Sequence, residues 1–314
     1  MSSPNAPSTL GQTHEPVYTL ADLKRWPHVG PALAVIGHPI AHSLSPAMHN
    51  AALAALAKED KKFQHWHYYK FDIPPETLSE ALAQFHTKGF LGLNLTLPHK
   101  VHALDCLAGV EPLAHHIGAV NTLKHQEEGY YGYNTDSYGL ERALLEELDV
   151  RLAKTDVILL GAGGAARAAA VHCLQAGCRE LWISNRSRER LTALLAALQP
   201  FAGKIKTTGF SLNNPPDRLP QHGLLINATS LGLQPDDPVP FNLEQGAKTY
   251  AVFDMVYGPA PTALVATARR RGLPAANGLA MLVWQGARAL ELWTNRAAPI
   301  DAMSKAARLA LNTS

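Results

Sequence analysis

Cysteine is scarce: Cys106, Cys173 and Cys178 are the only three in 314 residues. They form neither a C-x-x-C pair nor an even set in a short chain, which counts against a disulfide framework, a structural zinc or another metal site. No run of about 18 uncharged apolar residues occurs, so no membrane-spanning helix is expected. The opening residues 1–16 are polar, without an apolar stretch behind basic residues, and do not resemble a secretory signal. Charge of one sign is missing too, since 28 basic residues face 26 acidic ones for a formal charge of +2. That balance offers no broad field to nucleic acid or an anionic membrane, so any basic site is local. The expectation is a cytoplasmic protein whose partners are small molecules, with neither nucleic acid nor membrane among them.

What is present is hydrophobic mass, at 46% of a chain longer than one usual domain, and two domains follow as the natural reading. Residues 1–29 read as a flexible tail. After it, residues 32–36 form a short apolar run of strand type, then Gly37-His38-Pro39, then a Pro-initiated helical stretch over 46–58. Strand-like 67–71, helical 76–87 and strand-like 92–97 continue the alternation, which implies a mainly parallel α/β sheet. A second series opens with a buried strand at 157–160, a helix over 165–176 and a strand at 180–184, and continues at 224–226 and 250–253. The junction falls in a helix near 137–148. The fold class is therefore α/β with two α/β domains.

Gly161-Ala162-Gly163-Gly164-Ala165-Ala166 directly follows the 157–160 strand and opens a helix, the G-x-G-x-x-A arrangement of a dinucleotide-binding turn. Gly161 permits the tight turn, Gly163 lets backbone approach a pyrophosphate, and Ala166 allows close helix packing on the strand. A glycine-rich turn alone is weak evidence; the tip of the next strand decides the cofactor. There an acid would bind the ribose 2′-hydroxyl of NAD, and a base the 2′-phosphate of NADP. The strand ends Asn185-Arg186-Ser187-Arg188-Glu189-Arg190, with three arginines and no acid at the tip. A charge run is commonly a solvated helix face, but this position favours phosphate, which guanidinium holds by paired hydrogen bonds.

In the first domain His42-Ser43-Leu44-Ser45-Pro46 places two hydroxyls two residues apart before a helix, with Ser45 read as its N-cap and Pro46 at its first position. Capping alone would account for Ser45. A helix N-terminus flanked by two hydroxyls also suits a substrate carboxylate. Asn94-Leu95-Thr96-Leu97-Pro98-His99-Lys100 alternates, so Asn94 and Thr96 share a face and Lys100 emerges after the proline. Asn134-Thr135-Asp136 taken alone is turn chemistry.

Together with Gly118-Ala119-Val120-Asn121-Thr122, Asn227-Ala228-Thr229-Ser230-Leu231-Gly232, Asp254-Met255-Val256-Tyr257 and Gly278-Leu279-Ala280-Met281-Leu282-Val283-Trp284-Gln285, these blocks stand in the order seen in the shikimate dehydrogenase family. The chain resembles that family from about Pro31 to its end. The resemblance implies a substrate domain over 30–137, completed by the helices of 277–314, and an inserted Rossmann-type NADP-binding domain over 138–276. It implies that Ser43, Ser45, Asn94, Thr96, Asn121, Tyr257 and Gln285 hold the substrate and that Lys100 and Asp136 form the catalytic pair. It places Gly161, Ala162, Gly163, Gly164, Ala165, Asn185, Arg186, Ser187, Arg190, Asn227, Ala228, Thr229, Met255 and Gly278 around the cofactor, NADP. Asn277, Ala280 and Ser137 depart from residues common in relatives and touch only local backbone shape.

The implied reaction is reversible reduction of 3-dehydroshikimate with NADPH, with Lys100 as the proton donor. The alternatives are a quinate/shikimate dehydrogenase with broader substrate use, and a catalytically silent ligand-binding relative. Arg186 argues against NAD preference, and the retained Lys100 and Asp136 argue against silence. Either a monomer or a homodimer is compatible with the sequence.

Overall fold

The computed structural model describes residues 15–27, 30–216, 219–234, 236–243 and 249–313. The first of its two sheets contains β1 (Val17–Thr19), β2 (Ala32–Gly37), β3 (His67–Asp72), β4 (Phe90–Leu95), β5 (Gly109–Val110), β6 (Thr122–Gln126) and β7 (Gly129–Tyr133). Their spatial order is β1-β3-β2-β4-β6-β7-β5. Strands β1 to β4 pair in parallel, and the β6–β7 hairpin adds antiparallel to β4. Helices α1 (Leu20–Lys24), α2 (Ser45–Glu59), α3 (Leu78–Thr87), α4 (His99–His102) and α5 (Pro112–Ile117) connect them. Every residue of β2 is buried, as a central strand covered on both faces requires.

The second sheet holds β8 (Asp156–Leu160), β9 (Glu180–Ser184), β10 (Lys206–Phe210), β11 (His222–Asn227), β12 (Thr249–Asp254) and β13 (Ala275–Asn277), all parallel. Their order, β10-β9-β8-β11-β12-β13, is that of a doubly wound dinucleotide-binding sheet, with its switch point between β8 and β11. Helices α6 (Asp136–Leu148), α7 (Gly164–Gln175), α8 (Arg188–Ala202) and α9 (Ala263–Arg270) belong to this half of the chain, followed by α10 (Leu279–Thr294) and α11 (Ile300–Thr313).

The chain crosses from the first sheet to the second through α6 and returns through α10, and the two helices pack together. Val283, Ala287, Leu290, Trp293 and Met303 of α10 and α11 join Leu33, Val35, Met48 and Tyr68 in one apolar core. The Trp293 indole packs over Gly92 of β4 and donates to the Leu123 carbonyl of β6 at 2.8 Å. Gly92 makes this possible, since a Cβ there would sit 2.1 Å from the indole nitrogen. The last two helices therefore pack on the first sheet and α2.

Three expectations need correction. Residues 15–27 are not a flexible tail: Val17 pairs with Lys70, Leu23 is fully buried, and the Trp26 ring meets Phe71 and Phe90. A three-residue strand and a five-residue helix are too short to give a readable period. Residues 1–14, 28 and 29 lie outside the described residues. Ser45 is not the N-cap but the first residue of α2, with Leu44 at the cap and Pro46 second. Finally, β4 runs over Phe90–Leu95 rather than 92–97, because the Thr96 carbonyl accepts from the His99 amide and turns the chain into α4.

Candidate active site

Lys100 and Asp136 come from distant parts of the chain and meet with Nζ donating to Oδ2 at 2.6 Å. The backbone carbonyl of Lys100 accepts from the Val120 amide at 2.8 Å, which ties α4 to the strand-entry segment carrying Asn121. Asp136 opens α6, with its own amide donating to Asn134 Oδ1 at 3.1 Å. Asn134 in turn donates to the Ala119 carbonyl at 3.0 Å. The pair is thus positioned from both sides by one segment, residues 118–122.

Asn121 is the centre of this arrangement and is 2% exposed. Its Nδ2 lies 2.8 Å from Asp136 Oδ1, 3.0 Å from Thr135 Oγ1 and 3.2 Å from Gln285 Oε1, while its Oδ1 accepts from the Thr135 amide at 2.8 Å. One carboxylate oxygen of Asp136 is therefore held by an amide and the other by the Lys100 ammonium. Gln285 reaches this group from α10, so the C-terminal helices contribute a polar contact as well as packing.

Asn94 is buried and fully engaged: Nδ2 donates to the Asn121 carbonyl at 3.1 Å and to Thr122 Oγ1 at 3.0 Å, and Oδ1 accepts from Tyr68 Oη at 2.8 Å. Burial keeps the Tyr68 phenol well above the usual tyrosine range, with Ser45 opposing in part. A buried polar chain thus runs from Tyr68 through Asn94 to Asn121, Asp136 and Lys100. Tyr68, Thr122 and Thr135 are its unforeseen members. The β3 alternation could have pointed to Tyr68, because Tyr68 and Lys70 share a face.

Ser43 Oγ accepts from the Ser45 amide at 3.3 Å, which provides the local cap that Ser45 was expected to give. Thr96 is half-buried, and its Cγ2 packs beside Gly37, where a Cβ would come within 2.4 Å. Tyr257 follows β12, partly buried, and desolvation pushes its phenol up to about 12. No hydrogen bond among those described joins Tyr257 to the Lys100–Asp136 group.

The second sheet presents its own cleft at the switch point. Gly161 has φ +115°, and a Cβ on it would lie 2.8 Å from the Ala228 carbonyl oxygen. Only glycine fits that approach of β8 to β11. At Gly163 and Gly164 a Cβ would meet nothing within 4 Å. Open space there, at a helix start without a side-chain cap, leaves α7 amides free for a pyrophosphate. Ala162 and Ala165 flank these glycines, and Ala166 is fully buried against Val157 and Leu159.

Arg186 and Arg190 are exposed and make no ion pair among the described residues, so both guanidiniums are free for phosphate. Ser187 caps α8 by accepting from the Arg190 amide at 3.2 Å, and Asn185 donates to the Ser187 carbonyl at 2.9 Å. Asn227 is fully buried, donating to Asp254 Oδ1 at 2.8 Å and accepting from Thr229 Oγ1 at 2.7 Å. These bonds shape the β11 and β12 exits around Ala228, Thr229 and Met255. Gly278 lets α10 start against Met255, whose carbonyl oxygen would stand 2.1 Å from a Cβ. The donor set fits a 2′-phosphorylated dinucleotide.

Family models match along the chain: the shikimate dehydrogenase substrate binding domain over residues 35–123, shikimate/quinate 5-dehydrogenase over 143–232, and the shikimate 5′-dehydrogenase C-terminal domain over 278–308. The shikimate dehydrogenase (NADP(+)) of Symbiobacterium thermophilum is 43% identical over 288 residues, covering 90% of this chain and 95% of that one. The shikimate 5-dehydrogenase of Thermus thermophilus, solved with NADP(H) and shikimate, is 39% identical with a TM-score of 0.77, covering 90% of this chain and all of that one. A 5-ketofructose reductase of a Gluconobacter strain also matches, at 30% identity and a TM-score of 0.76 over 89% of this chain and 98% of that one. With family models along most of the chain and a relative this similar over nearly its whole length, the chain belongs to the shikimate dehydrogenase family.

Proposed function

We propose that the protein is an oxidoreductase acting on a CH–OH group, reversibly reducing 3-dehydroshikimate to shikimate with NADPH in the shikimate pathway of aromatic amino acid and chorismate biosynthesis. The observation that carries the reading is the Lys100–Asp136 pair, 2.6 Å apart and braced by Asn121. When bound, the cofactor supplies the hydride that reaches the carbonyl carbon. Lys100 gives a proton from Nζ to the carbonyl oxygen, which becomes the hydroxyl. Asp136 accepts from Nζ and aims it. In the oxidation direction, neutral Lys100 takes the hydroxyl proton back.

Ser43 and Ser45, at the α2 N-terminus, hold the substrate carboxylate; Thr96, Asn121, Tyr257 and Gln285 hold its hydroxyls and orient the reacting carbon. Asn94 acts through Asn121 and Tyr68 and sets their positions. Gly161 to Ala165 cradle the pyrophosphate, Arg186 and Arg190 take the 2′-phosphate, and Asn227 to Thr229, Met255 and Gly278 shape the nicotinamide end. In domain terms, 30–137 with 277–314 binds the substrate and 138–276 binds NADP. The protein works in the cytoplasm as a monomer or homodimer, and its free thiols accord with a reducing compartment. Reduction of NADP⁺ followed by absorbance with shikimate as substrate tests the reading; no turnover would reject it.

A further inference from the structure

Lys70 is 4% exposed, on β3, and faces the α2 side with Tyr68 two residues before it. Its Nζ donates to the Ala41 carbonyl at 2.7 Å. Ala41 lies in the turn closed by the Ser43 amide on the Ile40 carbonyl at 3.0 Å, the turn that delivers Ser43 and then Ser45. Across the sheet Lys70 is in register with Val35, and Val35 with Asn94, so the row that starts at this lysine ends in the polar chain of the site. With strands about 4.8 Å apart, roughly 10 Å separates the two ends of that row.

An ammonium carries three donors, and the Ala41 carbonyl uses one. No carboxylate pairs with Lys70 among the described residues. Glu15 and Asp72 both have other partners. Glu15 accepts from Asn50 Nδ2 at 3.2 Å and lies 3.6 Å from His67 Nε2. Asp72, on the same strand face, is held by His38 Nδ1 at 2.5 Å. Burial pushes Lys70 below the usual lysine range, with Glu15 opposing in part. A buried cation that its own protein leaves unbalanced favours an anion close by. The α2 N-terminus adds positive potential at the same turn.

We propose that Lys70 is a positioning and specificity residue for the acidic end of the substrate: it pins the Ile40–Ser43 turn and gives that turn a buried positive charge that Glu15 offsets only in part. The proposal rests on the reading of Ser43 and Ser45 as the carboxylate site. It goes beyond it by making the site selective for charge as well as for shape.

The test is steady-state oxidation by NADP⁺ of two substrates, shikimate and its uncharged methyl ester, with the unmodified protein, Lys70→Met and Lys70→Arg. Lys70→Met removes the charge at similar length. It should raise the KM for shikimate about tenfold, the size of one lost charge-assisted contact, raise the KM for the ester clearly less because the ester feels only the loosened turn, and change kcat and the KM for NADP⁺ less than about twofold. Lys70→Arg keeps the charge and should recover most of the shikimate affinity. An equal rise for acid and ester would make Lys70 a shaper of the turn only, and no rise for the acid would make it a bystander; either result overturns the proposal. Glu15→Gln works in the opposite direction from outside the turn. By removing the opposing acid, it should lower the KM for shikimate and leave the ester unchanged, and no change for shikimate counts against the proposal even where Lys70→Met fails to fold. An unmodified protein without activity on shikimate would sink the functional reading and the role of Lys70 together, whereas an active one with parallel KM changes sinks the role alone.

Discussion

Asn121→Asp perturbs the site at its most connected atom. The substitution keeps the oxygen that accepts from the Thr135 amide, so the 134–136 turn keeps its anchor, and changes only the donor that faces Asp136 Oδ1 at 2.8 Å. Two buried carboxylates then confront each other across the span of the former hydrogen bond. At an effective dielectric of 20, two unit charges 4 Å apart repel by about 4 kcal/mol. The variant relieves this by holding one proton between the two groups, so one step of the pair's titration moves up towards neutrality. Below that step the shared proton replaces the lost N–H and Asp136 still aims Lys100. Above it the second carboxylate draws on the same ammonium and the pair loses its geometry. Turnover in shikimate oxidation should fall about a hundredfold at pH 9, or about 2.7 kcal/mol. Relative to the unmodified protein at each pH, about tenfold should return by pH 6. The assay is kcat against pH for both proteins, with the KM for NADP⁺ as a control that stays put. A variant within threefold of the unmodified protein throughout, or a ratio that does not move with pH, would show that Asn121 does not hold Asp136 in place.

Two further outcomes follow from the same contacts. Arg186→Ala should weaken NADPH about 10- to 100-fold, the loss of one charge-assisted contact, and leave NADH almost unchanged, as measured by fluorescence titration; equal weakening of both would make Arg186 structural. His49 is fully buried against Tyr68, with no hydrogen-bond partner at either ring nitrogen among the described residues, and burial pushes it down to about 3. Its unfolded form gains a proton below about pH 6.5, while the folded form stays neutral down to about 3. Stability is therefore fully present above 6.5 and lost as pH falls, by about 2 kcal/mol between pH 7 and 5. His49→Leu should remove this slope in urea melts at the two pH values, whatever it does to absolute stability, and a slope left unaltered would reject the assignment.

The second sheet was legible because each of its first strands is a buried run bounded by turn residues, and Gly161 to Ala166 sits at the switch point with the spacing a pyrophosphate turn demands. The Lys100–Asp136 pair was legible only through a family resemblance: a lysine after a proline and an aspartate in an Asn-Thr-Asp turn carry no distance information. The hidden parts fall into two kinds. Val17–Thr19 and Leu20–Lys24 are too short for periodicity to show, so packing against Phe71 and Phe90 decides their structure. Tyr68, Thr122 and Thr135 are ordinary strand and turn residues in sequence, and their role arises from register across three strands, which no local pattern records. Ser45 shows a third limit, since proline at the second helical position rather than the first moved the cap by one residue.

The central claim is that Lys100, aimed by Asp136, moves the proton of the reaction. Steady-state oxidation of shikimate by NADP⁺ with Lys100→Ala and Asp136→Asn, alongside NADPH binding by fluorescence, tests it most directly. Turnover should fall by roughly 10²- to 10⁴-fold in each variant, the usual loss of a general acid, with NADPH affinity changed far less. Near-normal turnover in both variants would contradict it.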